Sequence, residues 1–409
     1  MNGISRAVKY KIFLFLLTFI CCASLANAQQ FDIVGNKKRV SVGFKVIRSM
    51  VVLQLKINGS GPYNFVLDTG VGLMLITEPS LIDSLNIVNK RTITIVGLGE
   101  RDNYEAVVAP LLNVNIAGLV VSHDVSAAIL KDDFFGLSNY AGMPIHGLLG
   151  ADFFKKLSVK ISFADSTLTL TRPGKMRIFR HAEKIPLTIE DGKPYIKSIV
   201  TLANGNIKTS KLLIDLGAGH PLSLEKIDSL PPKSIRANLG VGLNGLIDGH
   251  LSRINNIALG KYNIKGVITS FPLDDPAFKT AVKRDGSIGM GILKRFDIIF
   301  DYQNNAMYLK SSFDFKEPFE HDMTGLSYHA EGSHFEHLIV EKVDVGSSAE
   351  EIGIQAQDEI VSINFKSVSK MSMQQIDDLL KSRDGRTILL EIYRDKVTER
   401  ILLTLKRRI

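Results

Sequence analysis

Alternation of apolar and polar residues predicts the same β-hairpin twice in this chain. Residues Val51 to Ile57 alternate, turn at Asn58-Gly59, and lead into the apolar run Tyr63 to Leu67. Asn-Gly between two apolar runs is a strong short-range signal for a hairpin. The series recurs at a shift of about 140 to 147 residues, as Tyr195 to Leu202, a turn at Asn204-Gly205, and Lys211 to Ile214. Two copies of one unit predict two similar β-rich lobes.

Each copy of the hairpin ends in an Asp-x-Gly turn. Asp68-Thr69-Gly70 directly follows the first apolar run, and Asp215-Leu216-Gly217 follows the second. The glycine permits a close approach of the backbone to a neighbour. Alone, such a turn is typical of an Asx-turn at the end of a strand. At matching places in a duplicated unit, the two turns predict a pseudo-twofold axis that brings Asp68 and Asp215 together.

Two further elements are duplicated downstream. Glycine pairs between β-prone runs predict the tips of mobile hairpins, at Gly97-Leu98-Gly99 and at Gly240-Val241-Gly242. An apolar stretch then leads into a strand and turn in each copy, Ile145 to Phe154 in the first and Gly286 to Leu293 in the second. Helical patterns are short and few in this part, so we expect it to be mainly β.

Composition shifts separate the folded parts of the chain. The basic stretch Arg172 to Arg180 predicts a solvated connector between lobe 1 (29–173) and lobe 2 (174–312). Because no nucleic-acid-binding fold accompanies its cations, we exclude nucleic acid as a partner. The chain then alternates strands and helices, which predicts a separate small α/β module over 322–409. Ser372 and Gln375 form a capping-box pattern for one of its helices.

The amino-terminal 28 residues have the pattern of a Sec signal peptide. Three cations (Arg6, Lys9 and Lys11), an apolar run from Ile12 to Ala23, and Ala26-Asn27-Ala28 occur in that order. The run is too short for a comfortable membrane span, although an uncleaved anchor is the alternative. Cleavage after residue 28 removes three cations and no acidic residue, so the formal charge falls from +8 to +5. We therefore expect an exported protein, periplasmic or extracellular, without a stable membrane span.

Two carboxylates in contact can carry acid–base hydrolysis. They cannot both ionise, so the pair shares a proton and titrates as a unit. Such a pair can hold a water, with one carboxylate accepting its proton while the other donates a proton to a substrate carbonyl. Asp68 and Asp215 are therefore candidate catalytic residues for peptide hydrolysis without a covalent intermediate. We expect neither a cofactor nor a metal.

Other catalytic chemistries lack their central residues. Without the leader the chain has no cysteine, and no Gly-x-Ser-x-Gly motif occurs, which argues against nucleophilic catalysis. We interpret His146 and His220, which flank the motifs, as polar neighbours of the site. Four histidines between residues 321 and 337 lack a His-Glu-x-x-His pattern, and we interpret them as loop or solvated residues.

The paired motifs resemble those of the retropepsin and pepsin type of aspartic peptidases, over about residues 45 to 310. Phe65 to Gly70 looks like the family's catalytic strand and turn, and Leu148-Leu149-Gly150 looks like the element behind it. Leu213 to Ala218 and Ser287-Ile288-Gly289 look like the second copies. The resemblance implies duplicated β-barrel lobes, catalytic Asp68 and Asp215, support of this dyad by Thr69, Gly70, Gly150, Leu216, Gly217 and Gly289, and flaps at Gly97, Leu98, Gly99 and at Gly240, Val241, Gly242.

Leu216 departs from this family pattern. A Thr or Ser hydroxyl stands at this position in the family and hydrogen-bonds across the axis, whereas leucine has no hydroxyl. One lost neutral hydrogen bond costs about 1 kcal/mol. The substitution could loosen the dyad without abolishing activity, or it could mark an inactive peptide-binding adaptor.

The carboxy-terminal module resembles a bacterial-type PDZ domain. Ser347 to Ile354 and Gln357 to Asn364 resemble its signature, with Ser-Ser-Ala and Gln-Asp where the family has Ser-Pro-Ala and Gly-Asp. The resemblance implies a groove beside the helix Ser372 to Lys381, to which a peptide adds as a strand. The free carboxylate of the peptide would meet the loop and strand that contain Gly325, Leu326, Ser327 and Tyr328. The alternative is a module that only packs on the lobes or has a closed groove.

The sequence thus predicts a mainly β, exported aspartic endopeptidase that cleaves peptide or protein substrates. Its PDZ domain would bind the tails of substrate or partner peptides. The main alternative is a catalytically inactive adaptor that binds peptides with protease-like lobes and the PDZ domain. A third hypothesis is a chaperone-like quality-control factor, whose peptide binding would survive loss of either Asp.

Overall fold

The structure is a computed structural model that describes residues 31–87, 89–95, 104–227, 229–242, 245–273 and 282–409. The fold is mainly β, as predicted, with two similar barrel lobes followed by a small α/β domain. The predicted signal peptide, residues 1–28, lies outside the described residues. Among the residues described, no helix has the length and apolarity to cross a membrane.

Lobe 1 is built on the first predicted hairpin. Its sheet contains nine strands, β1 (Asp32–Ile33), β3 (Lys45–Ile47), β4 (Met50–Ile57), β5 (Ser60–Leu67), β6 (Met74–Ile76), β7 (Arg91–Ile95), β8 (Tyr104–Ile116), β9 (Val120–Leu130) and β10 (Gly147–Leu149). The pairings β4–β5, β5–β10, β10–β6, β6–β9, β9–β8 and β8–β4 close six of these strands into a barrel.

Lobe 2 repeats this arrangement. Its strands are β14 (Thr188–Glu190), β15 (Lys193–Thr201), β16 (Ile207–Ile214), β17 (Leu222–Leu224), β18 (Ile235–Gly242), β19 (Gly245–Leu259), β20 (Tyr262–Pro272) and β21 (Gly286–Ile288). Strands β15, β16, β21, β17, β20 and β19 close a second ring of six. The two rings have the same order of pairing, which confirms the predicted duplication.

A separate six-stranded sheet joins the two lobes. Its order is β13-β23-β22-β11-β12-β2, so lobe 1 and lobe 2 each contribute three strands. The strands are β2 (Arg39–Gly43), β11 (Ser158–Ser162), β12 (Thr167–Thr171), β13 (Glu183–Pro186), β22 (Phe296–Asp301) and β23 (Ala306–Ser311). The predicted boundary at residues 173 and 174 falls between β12 and β13. A single hydrophobic core extends through both lobes, so the lobes are fixed relative to one another.

The carboxy-terminal domain has its own hydrophobic core and its own sheet. Its strands are β24 (Leu326–Glu331), β25 (His337–Val343), β26 (Glu359–Ile363), β27 (Lys366–Ser367), β28 (Thr387–Arg394) and β29 (Val397–Thr404). Strand β24 lies at the edge of this sheet. The predicted capping box is present, because the Ser372 side chain accepts from Gln375 N–H while the Gln375 side chain accepts from Ser372 N–H.

The helices are short and lie at the ends of strands. They are α1 (Leu81–Ser84), α2 (Leu137–Ala141), α3 (Met290–Leu293), α4 (Ser348–Glu351) and α5 (Met373–Leu380), with 3-10 turns at Ala151–Phe154, Tyr302–Asn304, Phe313–Lys316 and Val368–Lys370. The hairpin turn between β4 and β5 has Asn58 and Gly59 at φ 50° and 83°. This left-handed pair suits the twist of the flanking strands, which explains the strength of the sequence signal.

Candidate active site

The Asp68 turn is positioned by a buried three-strand arrangement. Strand β10 runs parallel to β5 and antiparallel to β6, with Leu149 opposite Leu67 at the end of β5. The N–H of Asp68 donates to the carbonyl oxygen of Leu149 at 3.0 Å. The apolar residues before the aspartate are fully buried, so the turn is fixed where the strand leaves the core.

The Asp215 turn is built in the same way from lobe 2. Strand β21 runs parallel to β16 and antiparallel to β17, and Ile288 lies opposite Ile214. The N–H of Asp215 donates to the carbonyl oxygen of Ile288 at 2.9 Å. In each turn the second residue after the aspartate donates its N–H to that carboxylate, at 2.6 Å for Gly70 and 3.0 Å for Gly217.

The structure brings the two carboxyl groups together where the turns of the two lobes meet, close enough for Asp215 to raise the pKa of Asp68. Each aspartate lies against the glycine of the opposite turn. A Cβ at Gly217 would lie 2.3 Å from Asp68 Oδ2, and a Cβ at Gly70 would lie 2.7 Å from Asp215 Oδ2. Any side chain at either glycine would therefore displace a carboxyl group. This close approach is the physical reason for glycine at both positions.

A single hydroxyl joins the two turns. The Thr69 hydroxyl donates to the carbonyl oxygen of Ile214 at 2.6 Å and accepts from the N–H of Leu216 at 3.0 Å. Thr69 is completely buried, and so is Leu216, which packs in the common core of the lobes. Leu216 returns no side-chain hydrogen bond because it has no hydroxyl. The link across the axis is thus made from one side.

Burial sets the protonation of the dyad. Asp68 is 8% exposed. Desolvation and, next, the charge of Asp215 raise the pKa of Asp68 to about 8, while hydrogen bonds from the N–H groups of Gly70 and Val71 oppose this shift. Asp68 is therefore protonated at neutral pH. A carboxylic acid beside a carboxylate is the state that acid–base hydrolysis requires.

The two supporting glycines lie behind the turns, close to the chain that follows each aspartate. A Cβ at Gly150 would lie 2.7 Å from the carbonyl oxygens of Gly72 and Leu73. At Gly289 it would lie 2.2 Å from the carbonyl oxygen of His220. Both glycines thus permit the tight packing that holds the turns.

The two flanking histidines occupy different places. His220 follows the Asp215 turn, and its Nε2 lies 3.0 Å from the Ser287 hydroxyl. Burial lowers the pKa of His220 to about 4, which the charge of Asp215 opposes, so the ring is neutral at pH 7. His146 instead accepts from the N–H of Asn64 through Nδ1 and packs against the Tyr63 ring, 5.1 Å between centroids. His220 neighbours the dyad, and His146 supports strand β5.

The two candidate flaps differ in whether the structure describes them. Gly97, Leu98 and Gly99 lie outside the described residues, between β7 and β8. Gly240, Val241 and Gly242 lie at the end of β18, next to the turn into β19, since Gly242 is paired with Gly245. A flap role for either hairpin stays a prediction. In the described part of the chain, no group of three or more His, Cys, Asp or Glu residues could hold a metal ion.

The predicted carboxylate-binding loop of the carboxy-terminal domain is already occupied by a carboxylate. Asp322 Oδ2 accepts from the N–H groups of Thr324 at 3.0 Å and Gly325 at 2.5 Å. The N–H of Leu326 donates to the Thr324 hydroxyl at 3.1 Å. Of the four predicted carboxylate-binding residues, Gly325 thus has its N–H paired with Asp322. The sequence reasoning did not identify Asp322, although an acidic residue two positions before Thr324 is a visible signal for an Asx-turn.

The remaining predicted groove residues differ in exposure. The Leu326 side chain is buried in the domain core, and Ser327 is half-buried. Tyr328 reaches across to helix α5, where its hydroxyl donates to Asp377 Oδ1 at 2.5 Å. The Tyr328 side chain, which belongs to β24, thus crosses the groove between β24 and α5.

Comparisons with known proteins agree with this architecture. Residues 53–153 match the family model described as aspartyl protease, and residues 339–394 match the model of the PDZ domain. No curated protein matches the chain. One similar solved structure is a photosystem II D1 C-terminal processing protease, 24% identical over 20% of this chain and 22% of that one, with a TM-score of 0.19. An overlap of this size carries no argument about function.

The aspartyl protease match contains Asp68 and its turn, whereas Asp215 lies beyond it. The equivalence of lobe 2 rests on its matching barrel and turn. The chain therefore carries an aspartyl protease-like domain, duplicated in structure, and a carboxy-terminal PDZ domain.

Proposed function

We propose that this protein is an aspartic endopeptidase that hydrolyses peptide bonds with Asp68 and Asp215. The observation that carries the proposal is the pair of neighbouring carboxyl groups at the junction of two similar lobes, with Asp68 buried and Asp215 partly buried. A structural ion pair does not explain two acidic groups in contact, because their mutual repulsion and burial both oppose ionisation.

In the proposed reaction the dyad moves protons and no enzyme–substrate bond forms. The ionised carboxyl group accepts a proton from water as the water oxygen bonds to the peptide carbonyl carbon. The protonated carboxyl group donates its proton to the carbonyl oxygen. When the C–N bond breaks, one carboxyl group donates a proton to the leaving nitrogen. The other accepts a proton from a hydroxyl of the tetrahedral intermediate, which becomes the product carboxyl group, and the dyad again holds one proton. Thr69 and the paired glycines keep the two groups at the separation that this exchange needs.

We also propose export to the periplasm or the cell exterior, on the pattern of residues 1–28. The substrate class is peptide or unfolded protein, in keeping with an aspartyl protease-like domain beside a PDZ domain. PDZ domains bind peptides, and here the N–H of Gly325, one of the predicted carboxylate-binding residues, is already paired with Asp322.

A peptide-library digestion across pH 4 to 8 tests the proposal. We expect Asp68→Asn and Asp215→Asn to lower the cleavage rate by at least about 10²–10⁴-fold, because each removes a proton-transfer group. Asp124→Asn is the control, since this aspartate is exposed on β9. We expect activity to fall as the pH rises through about 8, where Asp68 loses the shared proton. Cleavage by Asp68→Asn at the wild-type rate would exclude the dyad.

The second candidate function is a peptide-binding adaptor, favoured by the missing hydroxyl at Leu216. It predicts that the wild-type protein binds library peptides and releases them uncleaved at every pH. Mass spectrometry of the recovered peptides separates the two functions directly.

A further inference from the structure

A hairpin turn of lobe 1 enters the peptide groove of the PDZ domain. The turn joins β3 to β4 and consists of Arg48 and Ser49, at φ 45° and 65°. We call it the Arg48 turn. The backbone N–H of Arg48 donates to Gln374 Oε1 on helix α5 at 3.0 Å. The backbone of the Arg48 turn therefore contacts the PDZ domain in addition to the Arg48 side chain.

The Arg48 guanidinium makes hydrogen bonds and aromatic contacts with both lobe 1 and the PDZ domain. It donates to both carboxylate oxygens of Asp377, each at 2.9 Å, and to the carbonyl oxygens of Tyr140 at 3.1 Å and Tyr328 at 3.4 Å. Its carbon lies 4.0 Å from the centroid of the Tyr140 ring and 5.0 Å from that of Tyr328. The side chain is only 10% exposed. Bidentate pairing and aromatic stacking together select arginine over lysine.

These contacts lie in the groove itself. Tyr328 belongs to β24, the edge strand to which a peptide would add, and Asp377 belongs to α5, the opposite wall. Arg48 crosses from one wall to the other. Its bond to the Tyr328 carbonyl uses a backbone acceptor that an added strand would need. A second lobe 1 contact lies nearby, because a Cβ at Gly142 would lie 2.7 Å from Met373 Cγ.

Little of the groove remains open. The residual cavity between lobe 1 and the PDZ domain has a volume of about 200 Å³, and its lining includes Ile47, Met143 and Met373. Small-molecule pockets usually measure about 300–1,000 Å³. At the other end, Asp322 occupies the loop that would hold a terminal carboxylate. The residues of the groove thus bind the Arg48 guanidinium of the same chain.

The Arg48 turn also reaches the candidate active site. A Cβ at Gly219, two residues beyond the Asp215 turn, would lie 4.0 Å from the Arg48 carbonyl oxygen and from Ser49 Cβ. The PDZ domain makes a second contact with lobe 2, where Lys342 Nζ lies 3.2 Å from Asp248 Oδ1 on strand β19. This strand belongs to the hairpin that ends near Gly242. One end of the cleft is therefore framed by the PDZ domain.

We propose that Arg48 is an internal ligand of the PDZ groove, which fixes the PDZ domain at one end of the cleft and holds the Arg48 turn against the Asp215 loop. A partner enters this groove only by displacing Arg48, so binding there changes the rim of the cleft. The chemistry of the site fits a guanidinium-bearing segment better than a free carboxyl terminus.

Hydrogen–deuterium exchange of the intact protein tests the proposal, and it does not depend on peptide cleavage. We expect Arg48→Ala and Asp377→Asn to speed amide exchange in β24 and α5 by at least about tenfold, because each leaves a partly buried charge without its partner. Arg48→Lys should give an intermediate increase. Glu399→Gln is the control in the same domain, since this glutamate is exposed on strand β29.

Exchange in both variants equal to that of the control would overturn the proposal. The double variant Arg48→Ala with Asp377→Asn guards against a general loss of folding. If the two residues act on each other, it exchanges no faster than the more affected single variant. Multiplied effects of the two substitutions would show independent roles and would also reject the internal ligand. Loss of peptidase activity in the Asp68 experiment leaves this result unaffected.

Discussion

The two aspartate turns share one backbone design but differ in how they are held. Both follow a parallel strand pair, both hydrogen-bond to the strand behind, and both face a glycine of the opposite lobe. Only the lobe 1 turn supplies a hydroxyl, from Thr69, while lobe 2 supplies the apolar side chain of Leu216. The duplicated fold therefore retains the paired acids with half of the side-chain link between them.

A second pair of equivalent turns shows a sharper difference. The Arg48 turn of lobe 1 and the turn between β14 and β15 of lobe 2 occupy matching places beside the aspartate loops. The carbonyl oxygen of Asp191 lies 4.0 Å from a Cβ at Gly72, as that of Arg48 does from a Cβ at Gly219. Asp191 is exposed, whereas Arg48 is enclosed by the PDZ domain. The added domain thus breaks the symmetry of the cleft at one end.

The proton on Asp68 in lobe 1 should change the free energy of unfolding more than any other feature of the two turns. Burial raises the pKa of Asp68 from 3.8 to about 8, so between these pH values the folded protein binds a proton that the unfolded chain does not. The free energy of unfolding should therefore fall as the pH rises through this range, by up to about 1.4 kcal/mol per pH unit. Asp68→Asn removes this dependence. Urea unfolding at pH 4, 6 and 8 measures it, and a parallel offset between wild type and variant at all three pH values would contradict it.

The next effect tests whether one hydroxyl holds both lobes. Thr69→Val leaves the Ile214 carbonyl and the Leu216 N–H buried without their partner. We expect a loss of about 2–4 kcal/mol in the free energy of unfolding, since each unsatisfied buried group costs about 1–3 kcal/mol. Thr69→Ser keeps the hydroxyl and serves as the control. Equal urea midpoints for Thr69→Val and Thr69→Ser would show that the hydrogen bonds of the Thr69 hydroxyl do not contribute to stability.

The glycine contacts predict a moderate effect that differs between the lobes. Gly217→Ala brings a methyl group to 2.3 Å from Asp68 Oδ2, closer than the 2.7 Å at Gly70. Overpacking of this kind costs about 1–3 kcal/mol. We expect Gly217→Ala to lower stability and cleavage rate more than Gly70→Ala. Gly43→Ala is the control because the space around it is open. The reverse order of the two variants would refute the asymmetry of the dyad.

The smallest effect comes from restoring the missing half of the link. Leu216→Thr loses buried apolar volume and gains a hydroxyl that faces lobe 1, so we expect a net change below about 1 kcal/mol. The valine of Leu216→Val has nearly the same shape as threonine but lacks the hydroxyl. We therefore expect Leu216→Val to be less stable than Leu216→Thr by about 1 kcal/mol. Thermal and urea unfolding of this matched pair isolate the hydrogen bond. Equal stability of the two variants would mean that a hydroxyl at position 216 forms no hydrogen bond with lobe 1.

Local sequence signals predicted the elements that depend on neighbouring residues. The Asn58-Gly59 turn and the Ser372 capping box form as expected, because their hydrogen bonds and dihedral angles are set within a few residues. The meeting of Asp68 and Asp215 was predictable only through the repeat, which implied an axis. The hydrogen bonds of Asp322 to Thr324 and Gly325 were not predicted, because a lone aspartate before a loop does not indicate which N–H groups its carboxylate meets.

The contact of Arg48 with the PDZ groove could not be predicted from local sequence patterns. Arg48 and Asp377 are 329 residues apart in the chain, and neither lies in a distinctive motif. Each alone resembles an ordinary surface charge. Their pairing depends on where the PDZ domain settles on the lobes, which is determined by packing over many contacts.

Patterns within short stretches of sequence were enough to predict the duplication, the paired Asp-x-Gly turns, the missing hydroxyl at Leu216 and the presence of a PDZ domain. Three features became visible only in the folded protein: Thr69 hydrogen-bonds to both turns, Asp68 is more deeply buried than Asp215, and Arg48 occupies the PDZ groove. The physical reason is distance along the chain: hydrogen bonds and burial between remote segments depend on the packed arrangement of whole lobes, which no local pattern encodes.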